Sequence, residues 1–210
     1  MIISLIGMSS AGKTYWAKRI EEEGYLRLSC DDIIEDKLQP ELSIHGYSGL
    51  ADVAEWMGFP YEDYYQYTSK KYLEAEEEAM NDILNKVEKL TNGSTPKIVV
   101  DTTGSGIYTS AKVQSRLKQL TEIIYLEIPK EQKGLMAKEF IRDPKPLIWG
   151  DKFNLQPFEN PKKALIRCYP DLLEYRSKQY EKLADFTIKY KDHKSNAMDA
   201  DRFIRHISSS

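Results

Sequence analysis

Residues 7–14 read Gly7-Met8-Ser9-Ser10-Ala11-Gly12-Lys13-Thr14 and satisfy the pattern G-x-x-x-x-G-K-[ST] at every fixed position. The octapeptide follows an apolar run at 1–6, which has the length of a buried strand, and it precedes a helical pattern over 13–23 that stops at Gly24. Backbone N–H groups in such a loop, together with the positive end of the following helix, attract a polyphosphate. The sequence therefore predicts a phosphate-binding loop over all eight residues.

Two polar side chains and one acid complete the expected nucleotide site. Lys13 supplies a mobile positive charge for the outer phosphates, and the Thr14 hydroxyl suits magnesium. Asp101 ends the apolar run 98–100 and is placed like the carboxylate that holds magnesium through water in P-loop proteins. A turn without ligand contact is the alternative for Asp101. We expect ATP and Mg²⁺ as cofactors, with GTP left open.

The rest of the chain alternates between strand and helix patterns, which predicts one three-layer α/β/α domain over 1–210 with a five-stranded parallel sheet of the P-loop kinase type. The expected strands are residues 1–6, 25–29, 98–100, 123–128 and 186–188. The expected helices are residues 13–23, 62–90, 109–120, 130–141, 161–184 and 198–207.

Two segments interrupt this alternation. Residues 39–61 mix Pro, Gly and aromatic residues ahead of a long acidic helix, and we interpret residues 39–90 as a helical cap that binds an acceptor. Residues 143–161 contain four prolines and three aromatic residues, and we interpret residues 142–161 as a lid. Both aromatic groups have an alternative role, which is to pack small satellite cores.

Composition excludes several classes of function. The chain has 210 residues and a net charge of −3, so no overall field draws it to nucleic acid or to an anionic membrane. Its two cysteines form no CxxC motif, and its three histidines lack the spacing of zinc ligands. We expect a cytoplasmic protein, a monomer or weak homodimer, with no stable nucleic-acid partner and no membrane segment.

Acidic residues also follow the second expected strand. Asp31 and Asp32 stand at the carboxyl edge of the sheet, where open α/β folds bind ligands. One of them can orient or deprotonate a substrate hydroxyl. The alternative is that either residue only caps the helix that follows.

With these motifs in place, the sequence resembles the shikimate kinase family. Residues 31–35 are similar to its D-x-x-I-E, with the match on Asp31, and residues 103–106 are similar to its T-G-G-G, with Ser105 in place of one glycine. Residues 145–148 are similar to its lid signature R-P-L-L, with Lys145 in place of the arginine. Residues 176–180, followed by Ala-Asp at 184–185, are similar to its R-x-P-L-Y with the trailing A-D.

The resemblance implies roles for these residues. Asp31 would bind the acceptor and help activate its hydroxyl, and Arg176 would hold a carboxylate of the acceptor. The loop of Gly104, Ser105 and Gly106 would contact the acceptor, and Lys145 would meet the nucleotide phosphates. Lys71, three residues before Glu74, would replace the second carboxylate-binding arginine of the motif F-R-x-x-E.

The chain also departs from that family. Ser29 stands where the family has a further acid, while Asp101 ends a strand that usually carries none. We therefore expect the magnesium-organising carboxylate to have moved from the second strand to the third.

Together these observations predict transfer of the terminal phosphoryl group of ATP to a hydroxyl of a small, carboxylated molecule. We assign catalytic roles to Lys13, Asp31 and Arg142, with Arg142 and Lys145 as lid cations. A solvated loop is the alternative for the two lid cations. Two other functions remain open. One is a kinase of nucleosides, nucleotides or polynucleotide 5′ ends, because residues 28–32 and 100–103 also resemble segments of such kinases. The other is a nucleotide-binding switch without an acceptor.

Overall fold

The computed structural model describes residues 1–195 and 197–208, and it leaves out the side chains of residues 50, 51, 138 and 208. The expectation of one domain over 1–210 therefore lies outside the described residues at positions 196, 209 and 210. No described helix is long and apolar enough to cross a membrane.

The strands of the sheet are β1 (Ile2–Ile6), β2 (Leu26–Ser29), β3 (Ile98–Asp101), β4 (Glu122–Leu126) and β5 (Phe186–Ile188). All five are parallel and lie in the order β2-β3-β1-β4-β5, which confirms the predicted architecture. Strands β1 and β4 are covered on both faces, so their apolar runs are almost wholly buried.

Helices pack on both sides of this sheet. The described helices are α1 (Lys13–Glu22), α2 (Cys30–Ile44), α3 (Gly49–Met57), α4 (Tyr65–Thr91), α5 (Ala111–Leu120), α6 (Lys130–Arg142), α7 (Pro161–Leu183), α8 (Tyr190–His193) and α9 (Ala200–Ser208), with a 3₁₀ turn at Gly106–Tyr108. Six of them lie close to predicted positions and confirm those predictions, namely α1, α4 to α7 and α9.

The prediction that the cap starts at residue 39 is wrong. Residues 39–44 continue α2, and Pro40 lies inside that helix. Ile34, Leu38 and Leu42 are buried on one face of α2, which packs against α4. Only Leu42 lies beyond Pro40, and burying such a side chain contributes about 1.5–3 kcal/mol, which is comparable with the roughly 3 kcal/mol that an internal proline costs. The structure also adds α3 and the short α8, and it gives bounds to α2, which was expected only as the helix that follows Asp31 and Asp32.

The expected lid divides into two parts. Residues 143–146 border the central cleft, whereas Leu147, Ile148 and Trp149 are buried. The Tyr65 hydroxyl donates to the Leu147 carbonyl (2.8 Å) and accepts from the Trp149 N–H (3.0 Å), which ties this second part to α4. Trp149 also meets the rings of Phe140, Phe153 and Tyr169, and this aromatic group is continuous with the main hydrophobic core.

The sheet topology places the site. After β1 the chain moves to one side of the sheet for β2 and β3, and to the other side for β4 and β5. Such a change of direction leaves a crevice at the carboxyl ends of the strands. Asp101 is in register with both Leu5 and Ser29, so the ends of β1, β2 and β3 are level there.

Candidate active site

A cleft of about 450 Å³ opens at this edge of the sheet. It is bordered by the loop after β1, the first turn of α2, the loop after β3, the first part of the lid, and α7. The sequence-predicted residues that line it are Ser9, Ser10, Gly12, Lys13, Thr14, Asp31, Gly104, Ser105, Lys145 and Arg176.

The loop of residues 7–14 has the backbone that its glycines predict. Gly7 has φ 145° and Gly12 has φ 102°, a region that side chains disfavour. A Cβ on Gly7 would also lie 2.9 Å from the Leu126 carbonyl oxygen. Met8 and Ala11 are buried behind the loop, so they contribute through the backbone. This cradle, which precedes α1, fits a polyphosphate.

Lys13 is folded back onto its own loop. Its Nζ donates to the carbonyl oxygens of Gly7 (2.9 Å) and Met8 (3.0 Å). Burial lowers the pKa of Lys13, while the carboxylates of Asp101 and Asp31 oppose that shift. The ammonium group is therefore poorly solvated and hydrogen-bonded to loop carbonyls, which leaves it ready to exchange them for an anion.

Asp101 lies beneath the loop and is only 2% exposed. Burial raises its pKa, against the opposing effects of Lys13, Thr14 and Arg27. Arg27 Nη1 lies 3.3 Å from Asp101 Oδ2, whereas Asp101 Oδ1 is buried without a hydrogen-bond partner among the described residues.

Thr14 and the free oxygen of Asp101 fit the two protein ligands expected for magnesium. Within residues 1–195 and 197–208, no group of three or more His, Cys, Asp or Glu side chains could hold a metal ion, so such an ion would need phosphate and water as further ligands.

The two acids at the start of α2 have different places. Ser29 is the N-cap of α2, and its Oγ accepts from the Asp32 N–H at 3.3 Å. Asp32 is exposed and pairs with Arg27, at 3.6 Å. Asp31 lines the cleft, and burial raises its pKa, opposed first by Lys13. Neither acid is the cap, and only Asp31 of the two lines the cleft.

Arg176 is a buried cation in the wall of the cleft. It is 2% exposed, and it donates to the carbonyl oxygens of Gly104 (3.2 Å) and Ile148 (2.8 Å). The structure gives it no carboxylate partner in the described part of the chain, and its Nε is buried without a partner. A buried guanidinium without a counter-ion is costly unless a ligand supplies the anion.

Gly104 brings the loop after β3 close to the phosphate-binding loop. A Cβ on Gly104 would lie 3.2 Å from the Ser9 nitrogen, so a side chain there would press the two loops apart. Tyr180 also donates to the Gly104 carbonyl, at 2.5 Å, which fixes the loop from below.

Lys71 is not brought to the cleft, which corrects the expectation that it binds a carboxylate there. Its Nζ lies 3.8 Å from Glu74 and 5.8 Å from the ring of Tyr67, on the outer side of α4. Successive helical residues point about 100° apart, and here the next residue, Tyr72, lines the cleft instead.

Gly106 and Arg142 stand apart from the cleft, whereas Lys145 borders it. Gly106 begins the 3₁₀ turn and does not line it. Arg142 is exposed at the end of α6 and lines a smaller neighbouring cavity of about 260 Å³, beside Ser9 and Ser10. Lys145 borders both cavities and pairs with Asp143 at 2.8 Å.

Sequence reasoning missed Glu76, a buried carboxyl on α4. Glu76 is fully buried and accepts hydrogen bonds from Thr103 Oγ1 and from Ser105 Oγ (2.8 Å). Burial raises its pKa to about 8, opposed first by Ser105. A signal was present: placing F-R-x-x-E two residues later puts Tyr72 and Glu76 on its first and last positions, with Leu73 in place of the arginine.

Solved structures share this architecture. Shikimate kinase from Acinetobacter baumannii in complex with shikimate aligns with a TM-score of 0.57 at 22% identity, over 99% of this chain and 90% of that chain. Shikimate kinase from Bacteroides thetaiotaomicron gives 0.58 at 12%, over 100% and 97%. Dephospho-CoA kinase from Campylobacter jejuni gives 0.52 at 15%, over 99% and 96%. No protein-family model and no curated protein matches the chain. The fold is that of the P-loop kinases related to nucleoside-monophosphate kinases.

Proposed function

We propose that the protein is an ATP-dependent phosphotransferase that moves the γ-phosphoryl group of ATP to a hydroxyl of a small, carboxylated molecule. The observation that carries this proposal is that the phosphate-binding loop, Asp31 and Arg176 line one cleft. A phosphate site, a base and an unpaired buried cation are what such a reaction needs.

Each residue has a separate task in this proposal. Asp31 orients the acceptor hydroxyl and takes its proton as the oxygen bonds to the γ-phosphorus and the bond to the β-phosphate bridge breaks, leaving ADP. Lys13 stabilises the charge on the transferred oxygens. Thr14 and Asp101 would hold magnesium, which supplies neutralising charge on the phosphates when bound.

The acceptor side of the cleft supports a carboxylated substrate. Arg176 offers a planar, doubly donating group that matches a carboxylate, and Gly104 and Ser105 border the same space. The structural neighbours include a shikimate kinase complexed with shikimate. Lys145, and Arg142 from the adjoining cavity, would bring positive charge to the phosphates when the lid segment 143–146 closes and excludes water.

The setting of the reaction is also a proposal. Cys30 and Cys168 are both free and buried, as expected for a protein of the reducing cytoplasm. We propose a cytoplasmic monomer or weak homodimer that binds no nucleic acid stably.

An ATP-consumption screen over hydroxylated acids, sugars and nucleosides tests the proposal. We expect turnover with a hydroxylated acid and none with the Lys13→Ala variant, whose fold is checked by circular dichroism. Turnover with nucleosides alone would favour a nucleoside kinase. Nucleotide binding without turnover on any acceptor would favour a switch, and undiminished turnover in Lys13→Ala would refute the ATP site.

A further inference from the structure

Glu76 is buried behind the wall of the cleft, and no described cation forms an ion pair with it. Its Oε1 accepts from the hydroxyls of Thr103 and Ser105, and its Oε2 is buried with no partner among the residues that the structure describes. An ionised carboxylate in such a place lacks the water or counter-ion that stabilises its charge. A protonated carboxyl fits better, because it carries no net charge and burying an unpartnered neutral group costs less than burying an unpartnered ion.

Arg176 lies on the other side of the same short loop. It binds the carbonyl of Gly104, between the two residues whose hydroxyls bind Glu76. Both side chains are described and almost fully buried, and yet they form no ion pair with each other. Opposite charges that are both buried would gain from pairing. The lack of such a pair among the described residues supports a neutral Glu76, which leaves the charge of Arg176 available.

The groups around Glu76 support this state. Burial is the main cause that raises its pKa to about 8, and Asp31 raises it further, while Ser105, Arg176 and Lys13 oppose the shift.

Charged groups of the neighbouring helices α5 and α3 are engaged elsewhere. On α5, Arg116 binds Asn81, Asn85 and Glu88, which lie further along α4. On α3, Asp52 accepts from the Ser48 N–H. The titratable and charged groups that face Glu76 are Lys13 from α1, Cys30 and Asp31 from α2, Tyr72 from α4 itself, and Arg176 and Tyr180 from α7, with Tyr108 of the 3₁₀ turn on the far side of Arg176.

We propose that Glu76 is a positioning residue that stays protonated, so that the full charge of Arg176 is left for the carboxylate of the acceptor. This inference rests on the proposed function and deepens it by naming what makes the pocket selective for an anion. In its neutral form Glu76 also holds Thr103 and Ser105, and through them the carbonyl of Gly104 that Arg176 binds.

The proposal has a pH dependence with a defined sign. The neutral form of Glu76 predominates below its pKa and favours an anionic acceptor. Above that pKa the new carboxylate competes for Arg176 and repels the acceptor, so acceptor binding weakens as pH rises. One proton is involved, so the acceptor KM rises by about fivefold between about pH 8 and pH 9 if the ionised form does not bind.

The test compares Glu76→Gln with Glu77→Gln. Glutamine imitates the neutral carboxyl, whereas Glu77 accepts from Ser110 outside the cleft and serves as a matched control on the same helix. We expect the wild type and Glu77→Gln to show the rise in acceptor KM with an unchanged KM for ATP. Glu76→Gln should keep the low-pH acceptor KM and lose the rise.

Two results would overturn the inference. One is a Glu76→Gln enzyme whose acceptor KM is already raised at neutral pH, because the ionised group would then be required. The other is an unchanged rise in that variant, because another group would then titrate.

A direct readout separates this inference from the proposed function. Carboxyl ¹³C NMR of the free protein, with the Glu76 signal assigned by its loss in Glu76→Gln, should show titration near pH 8, about where burial places the pKa. Titration near the ordinary glutamate value of about 4.3 would contradict the inference even if no acceptor were known. Failure of the acceptor screen alone would contradict only the proposed function.

Discussion

Replacing Arg176 with methionine removes the cation that the cleft offers to an acceptor carboxylate. Methionine keeps much of the length and the apolar stem of arginine but cannot donate hydrogen bonds. The carbonyl oxygens of Gly104 and Ile148 each lose a charged donor, at 3.2 Å and 2.8 Å. The change therefore acts on acceptor binding and on stability, and the two effects have different magnitudes.

The effect on binding follows from the burial of the guanidinium. Removing one partner of a buried charge pair costs about 2–5 kcal/mol. Since about 1.4 kcal/mol is a factor of ten, kcat/KM for a carboxylated acceptor should fall by about 30-fold or more. The effect on stability comes from the two carbonyls, at about 1.5–3 kcal/mol for each hydrogen bond to a charged group. Arg176→Lys keeps the positive charge and serves as a second variant if Arg176→Met does not fold.

The assay measures kcat and KM for acceptor and ATP together with urea denaturation. Lys178→Met is the matched control, because Lys178 lies on the same helix, is exposed, and pairs with Glu174 at 3.5 Å. We expect the acceptor KM to rise in Arg176→Met, less so in Arg176→Lys, and to stay unchanged in Lys178→Met. An acceptor KM that is unaffected in folded Arg176→Met would refute the role of Arg176.

Three further changes test other parts of the site. Asp31→Asn should reduce the rate of the chemical step by about 10²-fold or more, while ATP affinity changes little, because it removes the base but not the phosphate site. Equal losses in kcat and ATP affinity would argue against the role of Asp31 as the base. Gly7→Ala should raise the KM for ATP and lower the unfolding free energy by about 1–3 kcal/mol. The reason is that Gly7 has a positive φ and a new methyl group would meet the Leu126 carbonyl. An unchanged KM for ATP would count against the described shape of the loop. Tyr65→Phe should cost about 1–3 kcal/mol in urea denaturation, because the lid carbonyl and N–H lose their partner; a fully stable variant would show that the lid is not anchored there.

The fold followed from local patterns that physical chemistry fixes tightly. Buried parallel strands need continuous apolar runs, and the loop at 7–14 has a spacing that only one backbone arrangement explains. The patterns were weaker where tertiary contacts override local preference. Pro40 was assigned to the expected cap, but the buried face of α2 continues beyond it.

The site was predictable where chemistry requires a particular residue, and less so where geometry selects among neighbours. Lys13, Asp31 and Arg176 were found from motifs and lie together in the cleft. Lys71 and Tyr72 are adjacent in sequence, and only the rotation of α4 decides which one faces the cleft. Glu76 carries no sequence sign of being neutral, because that state depends on the burial that the packed fold creates.

Titration of the protein with ATP and Mg²⁺ in a calorimeter tests the central claim most directly. We predict saturable binding at one site per chain, and a loss of affinity of about tenfold or more in Lys13→Met at matched fold and stability. Absence of ATP binding by the wild type, or equal affinity in Lys13→Met, would contradict the assignment of residues 7–14 as the nucleotide site.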